Sequence, residues 1–296
     1  MSTNIPYLDE VWNLTRGCTK VSAGCRNCYA ERITQRFWRG PKGMSFNGAI
    51  DVSTVEKALD KPLHWRKPRR VGVCFMSDLF HEAVPDEFLD KVFAVIWRTS
   101  IGGQWTPQGK RYEVEDCPEE YRRELPVHTY IVLTKRPERM RAYFLTEGRA
   151  RRIAEAEREL PWLWDIPLDT FSPWPIPVWL GVSVENQETA DERIPILLET
   201  PAAHRWVSAE PLLGPVDLHL YLPPYAGSGI DWVVVGGESG PHSRQMEPYW
   251  LAQGILDCQA AGVPVYCKQD SGPRPGQQGR LPDALWAFKQ LPEGWA

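Results

Sequence analysis

Short β-branched segments alternate with amphipathic helical segments along most of the chain. This alternation is typical of β-α units that build a parallel sheet. The pattern predicts seven strands, at residues 11–15, 71–76, 129–134, 178–183, 204–209, 231–236 and 264–268. It predicts helices at residues 29–38, 55–59, 86–98, 188–198 and 248–260, and two more that begin near residues 138 and 147. The chain is therefore expected to have an α/β fold.

Each predicted strand ends in small, polar or charged residues just before the next helix. In an α/β barrel the loops after all strands meet at one mouth, where active sites form. A doubly wound open sheet would place ligands only near one switch point. We therefore expect a TIM-like barrel of six or seven parallel strands, partial or complete, that spans residues 1–270 as one domain.

Three segments depart from the alternating pattern. Residues 99–127 are charged and irregular, and residues 147–177 pass from a charged helix into a Trp- and Pro-rich loop, so both are expected to be insertions. Residues 271–296 are Gly- and Pro-rich and end in an apolar segment, which predicts a C-terminal cap. The fourteen tryptophans favour an aromatic ligand, although packing accounts for any single one.

Composition narrows the class of protein. No apolar segment approaches the ~20 residues that a membrane span requires, and the first residues lack the regions of a signal peptide. The seven cysteines are an odd number in a chain too large to need disulfides, which predicts reduced thiols and a cytoplasmic protein. The net charge of −4 argues against indiscriminate nucleic-acid binding. Basic clusters at residues 66–70 and 135–139 are nevertheless compatible with a local basic groove that binds nucleic acid.

Residues 12–32, WNLTRGCTKVSAGCRNCYAER, place Cys18, Cys25 and Cys28 after the first predicted strand. The spacing C-x6-C-x2-C offers three ligands, whereas a structural zinc site normally has four. Three thiolates can hold a [4Fe–4S] cluster through three irons and leave the fourth iron open. A zinc site completed by a distant ligand such as His64 or His81 is the alternative.

A three-cysteine loop after strand one of a β/α barrel resembles the radical S-adenosylmethionine superfamily. More narrowly, GCTKVSAGCRNCYAER is similar to a phage-associated three-cysteine-motif family of unassigned function. The usual superfamily loop is C-x3-C-x2-C with an aromatic residue before the last cysteine, whereas here the first gap is six residues and Asn27 precedes Cys28. The usual Gly-Gly-Glu after strand two is absent, and a Gly-Gly-Glu instead follows strand six, at residues 236–238.

The resemblance implies a [4Fe–4S] cluster and S-adenosyl-L-methionine as cofactors. An external flavodoxin- or ferredoxin-like electron donor is also implied. Asp78 is then expected to bind the methionine ammonium, and Lys135 or Arg136 the carboxylate. The predicted cofactor-binding residues are Ser77, Asp78, Lys135, Arg136, Ser183, Glu185, Asn186, Glu210, Gly236 and Gly237. The predicted catalytic residues are Glu238, Lys268 and Cys267, the last as a hydrogen-atom donor or as a small buried apolar residue.

The resemblance predicts an enzyme that cleaves S-adenosylmethionine to form a 5′-deoxyadenosyl radical. A modified nucleobase in DNA, or a nucleotide, is the expected substrate, with chemistry of the lyase or isomerase type. Glu210, Glu238, Lys268 and Asp270 are left for the substrate, although salt bridges at the rim would also explain them. The alternative is a zinc-stabilised protein without enzymatic activity that binds nucleic acid or docks to a partner protein.

Overall fold

The computed structural model describes residues 3–37, 52–101, 103–105, 123–160, 175–223 and 229–295. Residues 106–122 and 161–174 of the two predicted insertions lie outside the described residues. In chain order the strands are β1 (Glu10–Trp12), β2 (Thr15–Arg16), β3 (Ser53–Thr54), β4 (Arg70–Val73), β5 (Gly103–Trp105), β6 (Arg123–Leu125), β7 (Thr129–Thr134), β8 (Val178–Val184), β9 (His204–Ala209), β10 (Trp232–Gly236) and β11 (Val265–Gln269).

The helices are α1 (Tyr29–Phe37), α2 (Asp86–Ile101), α3 (Pro137–Leu145), α4 (Arg149–Glu159), α5 (Gln187–Glu199), α6 (Pro248–Ala261) and α7 (Asp283–Trp286). The predicted helix at residues 55–59 is present as a short 3-10 turn, Glu56–Ala58, followed by a second one, Lys61–His64. No described helix combines the length and the apolar character needed to cross a bilayer.

Seven strands form one parallel sheet in the order β1-β4-β7-β8-β9-β10-β11, which confirms the predicted α/β fold and its strand count. The sheet curls into a half-barrel with β1 and β11 as its two edges. Pairs β2–β3 and β5–β6 are separate and antiparallel. Because all seven strands run in one direction, their carboxyl ends lie along the same side of the sheet. This side, which crosses all seven strands, is called the carboxyl edge below.

The first strand is shorter than predicted. Cys74, at the end of the neighbouring β4, has a φ of +56°, in the left-handed region that a non-glycine residue rarely adopts. The parallel ladder of β1 and β4 stops at the pair Trp12 and Val73. The Cys74 thiol instead accepts the Leu14 amide at 3.4 Å, and the chain then turns into β2. The chain therefore leaves the parallel sheet before the cysteine-rich segment begins.

The two faces of the sheet pack differently. The convex face and the helices enclose the larger apolar core. The amino half of the concave face holds an aromatic cluster whose buried members are Tyr7, Trp179, Trp206, Trp232, Tyr266 and Trp295. Gly181 on β8 makes room for Trp206, because a Cβ there would lie 2.5 Å from its indole Cδ1. The aromatic cluster fills that half, so polar side chains of the concave face lie near the carboxyl edge.

The C-terminal segment follows the outer edge of β11. The Cys267 amide donates to the Phe288 carbonyl at 2.7 Å, and the Gln290 amide donates to the Val265 carbonyl at 3.1 Å. Trp295 is 5% exposed and packs edge-on against Trp232, with ring centroids 4.8 Å apart. This segment therefore covers the unpaired edge of β11 and closes the amino end of the concave face.

Candidate functional site

The loop from β2 to α1 carries the three clustered cysteines across the carboxyl edge of the sheet. Cys25 ends a short 3-10 turn, Ala23–Cys25, and Cys28 directly precedes α1. All three thiols are half-buried. Three strand ends hold this loop, one beside each cysteine, and together they define the candidate site.

The first attachment lies beside Cys18. The Arg136 guanidinium is 4% exposed, and its Nη1 lies 3.8 Å from Cys18 Sγ. Its Nη2 donates to the Thr19 carbonyl at 3.1 Å and to Thr19 Oγ1 at 2.7 Å. Glu82 and Asp78 hold the other side of the guanidinium, with Nε to Glu82 Oε1 at 3.0 Å and Nη1 to Asp78 Oδ2 at 3.1 Å. Arg136 thus joins the end of β7 to the start of the cysteine loop.

Asp78 is 5% exposed and its carboxylate is fully occupied. Oδ1 accepts the Phe80 amide at 3.0 Å and Thr134 Oγ1 at 2.8 Å. Oδ2 accepts the Lys135 amide and Arg136 Nη1, both at 3.1 Å. A methionine ammonium, the predicted ligand, would have to displace one of these four donors. In this conformation Asp78 positions Arg136.

His81 supports the same corner of the loop. The Ala83 amide donates to its Nδ1 at 3.1 Å, so Nε2 carries the hydrogen and donates to Thr19 Oγ1 at 3.0 Å. Burial, with the nearby charge of Arg136, lowers the pKa of His81 and keeps the ring neutral. Ser77 donates to the Thr15 carbonyl at 3.1 Å, which fixes the chain just before the loop.

The second attachment lies beside Cys25. Ser22 Oγ donates to Glu185 Oε1 at 2.7 Å, and Glu185, beyond the end of β8, is completely buried. Gly24 lies directly on this carboxylate, because a Cβ there would lie 2.6 Å from Glu185 Cγ. Lys135 pairs with the same carboxylate and also donates to Ser183 Oγ at 3.0 Å.

The charge on Glu185 is stabilised by two cations. Burial alone would raise the pKa of this carboxyl, but the charges of Lys135 and Arg193 outweigh burial and bring the pKa below its usual range. Arg193 Nη1 lies 3.4 Å from Glu185 Oε2 and donates to the Ser183 carbonyl at 2.7 Å. Glu185 is therefore an anionic anchor under the middle of the loop.

The third attachment lies beside Cys28. Asn27 Nδ2 donates to Glu238 Oε2 at 2.9 Å and to the His242 carbonyl at 3.1 Å. Glu238 is 4% exposed and forms an ion pair with Arg244. Burial raises the pKa of Glu238, but the hydrogen bonds from Arg244 outweigh it, and the pKa falls below its usual range. Glu238, just beyond the end of β10, thus holds the last turn of the cysteine loop.

The sulfur atoms have distinct surroundings. Burial raises the pKa of Cys18 to about 11, against the lowering effect of Arg136. Burial also raises the pKa of Cys28, and backbone hydrogen bonds from Glu31 and Ala30 at the start of α1 oppose this. Ser22 Oγ lies 3.8 Å from Cys25 Sγ. Cys18 and Cys28 therefore each have an N–H donor beside the sulfur, whereas the Ser22 hydroxyl beside Cys25 donates its hydrogen to Glu185.

The three thiols do not converge on one point in this conformation. Within the described ranges, no group of three or more His, Cys, Asp and Glu side chains is arranged to hold a metal ion. Both histidines of the zinc alternative have other partners: His64 Nε2 lies 3.1 Å from Asp60, and both ring nitrogens of His81 are bonded. The sequence-predicted ligands share a loop but do not form a mononuclear metal site.

Cys267 lies away from this loop. Its side chain is completely buried and belongs to the core between the sheet and the helices. Its neighbours Tyr266 and Lys268 face the concave side, as the alternation of a strand requires. The proposed hydrogen-atom donor role therefore does not fit, because the thiol faces the helices, and Cys267 contributes to packing.

Other predicted site residues have structural partners. Asn186 caps α5, where its Oδ1 accepts the Thr189 amide at 3.1 Å. Asp270 is 2% exposed and pairs with Arg280 at 2.9 Å, which fastens the C-terminal segment to β11. Gly237 allows close approach of the chain after β11, because a Cβ there would lie 2.9 Å from the Asp270 carbonyl carbon.

Sequence reasoning missed four residues that hold the loop to Glu185 and Glu238 or pair with these two carboxylates. They are Ser22, Asn27, Arg193 and Arg244. Ser22 and Asn27 each lie within three residues of a cysteine, which is the only local signal of their role. Arg193 and Arg244 gave none, because their partners are strand-end carboxylates that only the folded chain brings near.

The fold and site define an α/β half-barrel protein with a three-cysteine loop at the carboxyl edge of its sheet. The chain matches the family described as protein of unknown function (DUF5131) over residues 2–113 and 116–281, and it belongs to that family. No curated protein and no solved structure matches the chain.

Proposed function

We propose that this protein is a radical S-adenosylmethionine enzyme whose three cysteines hold a [4Fe–4S] cluster. One observation carries the proposal: a separate buried carboxylate fixes the loop beside each cysteine. Asp78 acts through Arg136 beside Cys18, Glu185 through Ser22 beside Cys25, and Glu238 through Asn27 beside Cys28. A loop without function would not need three buried charges to hold it.

The chemistry of the loop's donor groups supports such a cluster. The loop supplies three thiols, and a cluster takes each thiolate on a different iron, so its ligands are more widely spaced than those of one ion. Hydrogen-bond donors beside Fe–S sulfurs are a recurrent feature that tunes the cluster, and Arg136 and the backbone of α1 provide them here beside Cys18 and Cys28. A fourth cysteine is absent from the loop, which would leave one iron for a small-molecule ligand.

When bound and reduced, the cluster supplies the electron that cleaves S-adenosylmethionine to a 5′-deoxyadenosyl radical. The protein binds and orients the cofactor. Lys135 is 20% exposed in its side chain, lies beside Ser183 and is suited to bind the cofactor carboxylate. Arg136 and Asp78 are occupied by each other and by the loop, so we assign them to positioning Cys18.

The proposal includes a substrate class and a partner protein that donates electrons. A modified nucleobase in DNA, or a nucleotide, is the proposed substrate, with lyase or isomerase chemistry. Tyr29, adjacent to Cys28, is 41% exposed, and its aromatic side chain supports a ligand with an aromatic face. An external flavodoxin- or ferredoxin-like protein is the proposed electron donor.

The test is cleavage of S-adenosylmethionine. The protein is purified without oxygen, reconstituted with iron and sulfide, reduced with dithionite and incubated with S-adenosylmethionine. Wild type should form 5′-deoxyadenosine. Cys25→Ala should form none, whereas Cys267→Ala, which removes a thiol from the core, should retain the activity. A reconstituted wild-type protein that forms no 5′-deoxyadenosine contradicts the proposal.

A further inference from the structure

Lys268 and Glu210 meet on the concave face, near the carboxyl edge of the sheet. Lys268 Nζ lies 2.7 Å from Glu210 Oε2, although β10 separates their strands. Gly236 of β10 lies between them, and a Cβ there would lie 3.4 Å from Lys268 Cβ. The lack of a side chain at Gly236 therefore lets the lysine cross β10 to reach the glutamate.

A register shift in β11 directs two consecutive side chains to this glutamate. Val235 pairs with Cys267, but the next residue of β10, Gly236, pairs with Gln269, so Lys268 is the extra residue of a bulge. Gln269 Nε2 donates to Glu210 Oε1 at 3.1 Å. Bulges are common next to active sites, where they redirect a side chain. In a strand with regular alternation, Lys268 and Gln269 would point to opposite faces of the sheet and could not both contact Glu210.

Lys268 carries its positive charge at neutral pH. Burial lowers the pKa of Lys268, but the charge of Glu210 and its hydrogen bond outweigh burial and hold the pKa above its usual range. Burial raises the pKa of Tyr7 to about 12, so this nearby phenol stays neutral. The ammonium of Lys268 thus lies beside the Glu210 carboxylate and near the neutral phenol of Tyr7.

The pair keeps unused hydrogen-bonding capacity and partial access to solvent. The side chains of Lys268 and Glu210 are 18% and 15% exposed. A lysine ammonium has three donors, and among the described residues Lys268 makes one hydrogen bond, to Glu210. Each Glu210 oxygen accepts one bond from the described residues and has a second lone pair. A ligand can therefore add to both groups without breaking their ion pair.

We propose that Lys268 and Glu210 bind the lactam edge of a nucleobase, in which a ring carbonyl adjoins a ring N–H. The ammonium donates to the carbonyl, and the carboxylate accepts the N–H. Glu210 would repel a simple anion and Lys268 a simple cation, whereas a lactam satisfies both groups. Tyr29, next to Cys28, supplies a ring face for stacking. This inference rests on the proposed function only in taking the substrate to be a base, and it specifies thymine, uracil or guanine.

Calorimetric titration of the full-length protein without added iron or S-adenosylmethionine tests this site. Thymidine and guanosine should bind. N3-methylthymidine, cytidine and adenosine lack the lactam N–H and should bind roughly 10- to 100-fold more weakly, as expected for loss of a hydrogen bond to a charged group. Because this measurement needs no cluster, it is independent of whether 5′-deoxyadenosine forms.

Glu210→Leu should abolish the preference for thymidine over N3-methylthymidine, because it removes the acceptor of the ring N–H. Lys268→Met should weaken the binding of both nucleosides, because both keep the ring carbonyl. Circular dichroism and the melting temperature check that both variants fold. Lys268→Arg, which keeps the charge with a different donor geometry, gives a second variant should Lys268→Met unfold. Absence of binding to wild type at millimolar nucleoside, or equal binding of thymidine and N3-methylthymidine, overturns the inference.

Discussion

Ser22 Oγ donates to Glu185 Oε1 at 2.7 Å across 163 residues of sequence. The contact joins the turn that ends at Cys25 to the end of β8. Position 24 lies so close to the Glu185 carboxylate that it has no room for a side chain, and glycine occupies it. Glu185 is completely buried and charged, so its loss would leave Lys135 and Arg193 without their shared partner. The geometry of the cysteine loop therefore depends on a strand far from it in the chain.

Gly24→Ala should displace the loop from Glu185. The added Cβ would overlap the carboxylate, which three donors hold in place. We expect faster alkylation of Cys25 by iodoacetamide and a loss of bound iron after reconstitution. Gly254→Ala in α6 is the matched control, because its Cβ would lie 3.6 Å from the nearest atom, Val235 Cγ1. Equal alkylation rates in wild type and Gly24→Ala would contradict the packing described.

Arg136 and Asp78 should be strongly coupled in stability. Removing one partner of a buried ion pair costs about 3–5 kcal/mol, because the other charge is left uncompensated. Arg136→Met and Asp78→Asn should therefore each lower the free energy of unfolding, and the double variant should lose less than the sum by about 0.5–3 kcal/mol. Urea denaturation of the four proteins measures the cycle. Additive losses would show that the two side chains do not act as a pair.

His128 should make the protein less stable in mild acid. The ring is 1% exposed, and burial lowers its pKa to about 4 from 6.5, so the folded state binds the proton less readily than the unfolded state. Its contribution is complete above pH 6.5 and decreases as the pH falls to about 4. At pH 5 the loss from this one group amounts to about 2 kcal/mol.

Urea denaturation of wild type and His128→Phe at pH 7 and pH 5 checks this expectation. Phenylalanine cannot be protonated, so the difference between the two proteins should shift by that amount in favour of His128→Phe at pH 5. Carboxyl groups titrate in both proteins, so their effect on the free energy of unfolding cancels in this difference. A difference that does not change with pH would exclude a depressed pKa for His128.

Trp295 should contribute strongly to stability although it lies near the end of the described chain. It packs against Trp179 and Trp232 in the concave aromatic cluster. Trp295→Ala should lower the free energy of unfolding by about 3 kcal/mol or more, as for other large-to-small core changes. Leu256→Ala on the surface of α6, where the side chain is 57% exposed, should change it by less than about 0.5 kcal/mol. Similar effects of the two changes would place Trp295 outside the core.

Continuous apolar segments made the sheet predictable from the sequence. β7 and β9 have the predicted bounds, Thr129–Thr134 and His204–Ala209, because both strands are buried between two layers. The first predicted strand was too long, since the backbone bend at Cys74 that ends its ladder has no periodic signal. The cysteine loop and the polar strand ends were visible as local motifs.

The pairing between loop and strand ends was not predictable in the same way. Asn27 and Glu238 are 211 residues apart, and hydrophobic periodicity carries no information on which polar side chains meet. Asp78 was correctly placed at a strand end, but only the fold shows that four donors occupy its carboxylate. The bulge at Lys268 is likewise a property of β10 and β11 together.

The most direct test of the central claim is the metal and sulfide content of anaerobically reconstituted protein, measured for wild type and for Cys18→Ala, Cys25→Ala and Cys28→Ala. The account predicts about four irons and four sulfides per wild-type chain. It predicts a marked loss in each variant, with Cys267→Ala unchanged. A colourless wild-type protein that contains one zinc per chain, or a full iron content in Cys25→Ala, would contradict it.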